Sequence, residues 1–119
     1  MDRRTFLASA AALAATPAFA QTTTAEDAKL RALFDQIFDE GLADSPEAVT
    51  RLGLDKGARA AAKSQLDDAS VAAMAREKAR AVDHQKRLAA IDRAALSDRD
   101  KPNYDAVKFT GDLEVEANG

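Results

Sequence analysis

The residues that could do chemistry in this chain are few and scattered. One histidine, His84, lies in a charged run between Asp83 and Gln85, and no cysteine is present anywhere. A zinc site needs two or three His, Cys or carboxylate ligands converging on one point. With no His-Glu pair, a lone His at this spacing reads as a solvated surface residue. Asp35, Asp39 and Glu40 cluster on one stretch, but calcium requires six to eight oxygens from a shaped loop, and an exposed helix face is the expected reading. Ser45, Ser64, Ser70 and Ser97 have neither a neighbouring base nor an orienting acid, so nucleophilic catalysis has no support. Asp67 and Asp68 read as caps of a following helix. Tyr104 reads as a core residue with its hydroxyl at the rim, and with Asp105 it could border a cleft only in a longer protein.

The elements that would position these groups are helices. Helix formers dominate the chain, Trp is absent and aromatics are few, so the expected fold class is all-α: an irregular array of amphipathic helices. Thr24 is placed to cap a helix with Asp27 in a capping-box-like arrangement. Leu30, Leu33, Phe34, Ile37, Phe38 and Leu42 then recur at spacings of three and four, one continuous apolar stripe suited to packing or to a partner. Ser45 as cap and Pro46 at the first helical position start a second helix, which Gly53 closes. The stretch from Leu54 to Lys63 is expected to be a partly helical connection broken by Gly57. A long helix from about Asp68 to Asp92 carries a weaker stripe of Val71, Met74, Ala75, Val82, Leu88, Ala89 and Ile91, with its centre solvent-exposed on most sides. Ser97 with Asp100 is placed to cap a last helix, and Pro102 predicts an irregular start or a kink in its second turn.

The first twenty residues follow a different logic. Arg3 and Arg4 precede an uncharged apolar stretch from Phe6 to Ala15, and Ala18-Phe19-Ala20 offers small side chains at both specificity positions of a signal peptidase. Pro17 ends the apolar helix just ahead of that site. Residues 1–20 therefore read as a signal peptide cleaved after Ala20, leaving Gln21 first. Residues 21–24 read as a polar linker and 25–119 as the helical segment. Arg3-Arg4-Thr5-Phe6-Leu7 resembles the twin-arginine signal, in which a receptor reads the arginine pair followed by Phe6 and Leu7. The weakly hydrophobic, alanine-rich run suits that route, with the general secretory route as the alternative. Spanning a bilayer takes about 20 apolar residues, roughly twice the length of this run, so no stable membrane anchor is expected. The expected location is the periplasm of a Gram-negative bacterium, with the twin-arginine translocase as the partner during export. The full chain has 17 bases and 20 acids; removing Asp2, Arg3 and Arg4 with the signal leaves 15 and 19. That acidic balance argues against non-specific nucleic-acid binding, which needs a basic stripe.

Two segments, "LFDQIFDEGLADSPEAVTRLGLDKGARAAAKSQLDD" (Leu33 to Asp68) and "LAAIDRAALSDRDKPNYDAVKF" (Leu88 to Phe109), resemble the bacterial domain-of-unknown-function family 885. This is a group of large exported helical proteins similar to zinc metallopeptidases. The Ser-Pro-Glu, Leu-Gly-Leu-Asp and Asn-Tyr-Asp patterns stand here in the family's order. The resemblance implies that this chain is the amino-terminal, non-catalytic part of a larger helical protein, packed against the remainder of a catalytic body. It also implies that zinc and peptide hydrolysis belong to full-length relatives, whose His-Glu-x-x-Pro-Gly-His type motif lies far downstream. No catalytic, cofactor-binding or metal-ligating residue is carried over to this chain. The alternative is a free-standing exported helical protein that binds a partner helix through the Leu30 to Leu42 stripe.

Export is directly testable. Replacing Arg3 and Arg4 by lysines is expected to hold a reporter fused after Gln21 in the cytoplasm as uncut precursor. Periplasmic reporter at the unmodified level would remove the twin-arginine reading.

Overall fold

The computed structural model describes residues 22–118. The signal assignments at Arg3, Arg4, Phe6 and Leu7, and the cleavage site at Ala18, Ala20 and Gln21, lie outside the described residues. Four α-helices run in chain order: α1 (Ala25–Asp44), α2 (Pro46–Arg51), α3 (Val71–Ala89) and α4 (Lys101–Ala117). Two 3-10 segments, Gly57–Ser64 and Arg93–Ala95, lie in the connections. Among the described residues there is no strand, so the fold is all-α, and no helix is long and apolar enough to cross a membrane.

The helix starts follow local chemistry where a local partner is free. Thr24 Oγ1 accepts from the Asp27 amide at 3.0 Å while Asp27 Oδ2 accepts from the Thr24 amide at 2.8 Å, a complete capping box. Ser45 Oγ accepts from the Ala48 amide at 3.0 Å, with Pro46 in the first turn of α2 where a missing N–H has no intrahelical acceptor to lose. Gly53 follows α2 at φ 70°, in the left-handed region that glycine adopts without a Cβ penalty.

Several boundaries differ from the sequence expectation, each for a stated reason. Gly57, at φ 57°, opens the 3-10 segment that it was expected to break. The long helix starts at Val71, capped by Ser70 Oγ on the Ala73 amide at 3.1 Å. Asp68 sits one turn earlier and accepts from the Ser70 amide at 3.0 Å, and Asp67 turns to α2, accepting from Ser45 Oγ at 2.7 Å and the Glu47 amide at 3.0 Å. The last helix begins after Asp100, whose side chain makes no cap hydrogen bond. That carboxylate is instead buried and taken by Arg31 Nη2 at 2.8 Å and by Asn103 Nδ2 at 3.3 Å. Pro102 consequently lies in the first turn of α4, where its missing donor costs no intrahelical bond, and the irregular start expected there is the turn at residues 98–100 that precedes the helix.

Helix α3 runs antiparallel to both α1 and α4. The main core gathers Leu30 and Leu33 of α1, Leu88 of α3, Ile91 and Leu96 of the following connection and Tyr104 of α4, flanked by Phe34, Ile37 and Val107. A second, separate cluster joins Leu42, Val49 and Ala62, with Leu54 against it. The apolar row of α1 is therefore divided between two cores, and Phe38, 53% exposed, belongs to neither. Where α3 and α4 cross, Gly111 admits the Gln85 side chain so closely that a Cβ there would overlap it.

Burial fixes two expected stability changes. Leu88 is 1% exposed at the centre of the main core, so Leu88→Ala is expected to lower unfolding free energy by about 2–5 kcal/mol. Gly41 lies inside α1 with nothing near its missing Cβ, so Gly41→Ala is expected to raise it by about 0.5–1 kcal/mol. Urea titration followed by circular dichroism reads both.

Candidate functional site

The densest group of titratable side chains lies where α1 and α3 face each other. On α1, Gln36, Glu40 and Asp44 recur every four residues and so share one face. On α3, Arg80, His84 and Arg87 do the same at spacings of four and three. Antiparallel packing lays one row against the other. Glu40 Oε2 lies 2.7 Å from His84 Nε2 and accepts from Arg87 Nη2 at 2.7 Å. Arg80 donates to the Glu40 carbonyl at 3.1 Å and pairs with Asp44. Arg87 also donates to Gln36 Oε1 at 3.4 Å, and its Nε lies 2.9 Å from Asp83 Oδ2 as an ion pair without hydrogen-bond geometry.

This arrangement corrects two expectations. His84 is not a solvated residue: its side chain is 17% exposed, and it is tied to Glu40 across the helix interface. Glu40 likewise leaves the exposed face assigned to it, whereas Asp35 and Asp39 remain there, Asp39 reaching Arg59 at 3.3 Å. Hydrogen bonds from Arg87 and His84 outweigh the opposing effect of desolvation and bring the Glu40 pKa down to about 2. The same contacts raise that of Arg87.

Beside this row lies an open cleft of about 550 Å3 between the end of α1, the start of α2, the 66–68 stretch and α3. Arg76, Arg80 and His84 line it together with Asp44, Asp67, Asp68 and Glu77. Its charges are mixed and largely engaged: Arg76 holds Asp68 at 3.2 Å, Arg80 holds Asp44, and both Asp67 oxygens accept from α2. Ser45, on the rim, donates to the Asp67 carboxylate, a neighbour that the sequence alone does not place beside it, and caps α2, an arrangement that orders the corner. Among the described residues, no group of three or more His, Cys, Asp or Glu side chains is placed to hold a metal ion.

The remaining candidate residues sit elsewhere. Tyr104 is buried in the main core as expected. Asp105 is exposed and receives Arg93 through two bonds of 2.6 Å, which lower its pKa and raise that of Arg93. Of the six α1 stripe residues, Leu30, Leu33 and Leu42 are buried by the chain's own helices, Phe34 and Ile37 are half-buried, and Phe38 faces solvent. Comparison with protein-family models, with curated proteins and with solved structures returns no match.

The depressed Glu40 pKa gives a pH signature. A carboxylate whose folded-state pKa, about 2, lies below its ordinary value of 4.5 adds stability at pH above 4.5 and loses it as pH falls toward 2. Because Glu40 is 38% exposed, solvent screening limits that contribution to about 1 kcal/mol. Thermal midpoints of the native chain are expected to fall more steeply between pH 4.5 and 2 than those of Glu40→Gln. Parallel curves would assign the acid sensitivity to other carboxylates.

Proposed function

We propose that the helical segment is a non-catalytic module of an exported, periplasmic protein, the amino-terminal portion of a larger zinc-metallopeptidase-like body of the kind the sequence resembles. Peptide hydrolysis belongs in this reading to a full-length relative, and the twin-arginine translocase acts on the chain only during its export. One observation carries the non-catalytic part: side chains that chemistry would draw on are engaged in holding helices together. His84 and Arg87 hold Glu40, Arg31 holds Asp100, Arg93 holds Asp105, and the Asp27 carboxylate accepts from two backbone amides. A general base must be able to reach a substrate proton, and these groups are turned toward each other. Leu66, 81% exposed, and Leu52, 53% exposed, are apolar side chains available to the remainder of such a body.

Calorimetric titration of zinc into the purified chain tests this reading together with His84→Ala. The expected result is no stoichiometric zinc binding in either protein, with a thermal midpoint lowered by about 4 °C in the variant because Glu40 loses a partner. Tight one-to-one zinc binding abolished by His84→Ala would make His84 a ligand and overturn the assignment.

A further inference from the structure

Helix α3 carries two apolar rows, and only one of them faces the core. Ala81 and Leu88 point inward. Val71, Ala75, Val82 and Ala89 recur at spacings of four and seven on a neighbouring face, the period of helices that pair along a seam. Val71 is 79% exposed, and on the adjoining face of α4 Phe109 is 65% exposed. Between the two helices runs a shallow groove of about 430 Å3 with Val82, Ala89 and Val115 as its apolar lining. No described residue from another element lines it.

The borders of the groove carry opposite charges. Lys86 stands on the α3 side; Asp112 and Glu116 stand on the α4 side. Among the described residues Lys86 and Glu116 form no ion pair, whereas Asp112 is held by Lys108 at 2.6 Å. The last turn of α4 contains no basic residue, so its acidic side chains lie against the negative end of the helix dipole with no compensating charge. A cation from outside the described chain would relieve that.

A second copy supplies one. A two-fold axis parallel to the helices places α3 of one copy over α4 of the other, antiparallel, at the level where Gln85 meets Gly111. Lys86 of each copy then faces the acidic border of its partner, twice over. A two-fold axis across the helices would instead set α3 on α3 and lysine against lysine. Ala89 is small enough to admit a neighbouring helix at the usual 8–10 Å, with Phe109 as the large side chain near its level. We propose that the α3–α4 face is the contact between two copies of this chain, closed as an antiparallel four-helix bundle in which Lys86 pairs with Glu116 across the two-fold, beside the Asp112 carboxylate that Lys108 already holds.

Sedimentation equilibrium of the full chain from about 1 to 100 μM reads this directly. The expected result is a reversible dimer, weakened roughly tenfold by Lys86→Glu and by Glu116→Lys alone, and restored to within about threefold when the two are combined. Both positions are exposed, so unchanged circular dichroism is expected and assigns any loss to association. A monomer throughout the range would overturn the proposal in favour of a different protein as occupant of the groove. A dimer indifferent to both single substitutions, or one that the combination fails to restore, would place the contact on another face.

Discussion

The fold depends on one buried carboxylate. Asp27 is fully enclosed, and its two oxygens serve different parts of the chain: Oδ2 closes the first turn of α1 on Thr24, and Oδ1 accepts from the Ser97 amide at 2.9 Å, seventy residues further on. Burial alone would raise its pKa, yet the amides of Thr24 and Ser97 more than offset that, and it lies below the ordinary carboxylate value. Glu26 beside it accepts from the Asp92 amide at 2.9 Å, and Arg31 one turn on reaches the buried Asp100. These three contacts draw the α3–α4 connection across the start of α1. Ile91 and Leu96 are thereby held over Leu30 and Leu33, and the main core is closed on that side.

The same contacts explain what the sequence shows and what it hides. Caps whose partners lie within three residues, at Thr24 and Ser45, are legible because the donor, the acceptor and the turn between them stand in one short stretch. Asp100 has the right residue type for a cap, but a guanidinium on α1 reaches it first, and nothing in the local sequence records that competition. Gln36, Glu40 and Asp44 against Arg80, His84 and Arg87 form an intermediate case. Both rows are visible as helical periods of opposite character, and their meeting could have been inferred had charge been read for periodicity as apolar residues were. Read singly, His84 is only a histidine among charges.

Apolar periodicity carries a related ambiguity. The α1 stripe looks like one surface because its spacing is uninterrupted, yet two clusters share it, since α2 turns back and brings Val49 to Leu42 while Leu88 and Tyr104 cover the other end. The stripe of α3 has the opposite character. Its members divide between an inward row ending in Leu88 and an outward row beginning at Val71, and spacing alone does not say which row the chain itself will cover. Alanine accounts for the difficulty: it supports either row as helix while adding little area to either.

The separation of the two cores has a dynamic meaning. The corner formed by α2 and the 3-10 segment rests on Leu42, Val49 and Ala62, with Leu54 beside them and Asp67 joining it to α2 by two hydrogen bonds. Among the described residues it shares no buried side chain with the main core, and α1 alone passes through both. Such a unit can open while the rest of the molecule stays folded. Its amides therefore exchange with solvent through sub-global opening, ahead of those around Leu30 and Leu88, and the stretch from Gln65 to Ala69 is the natural point for a protease to enter.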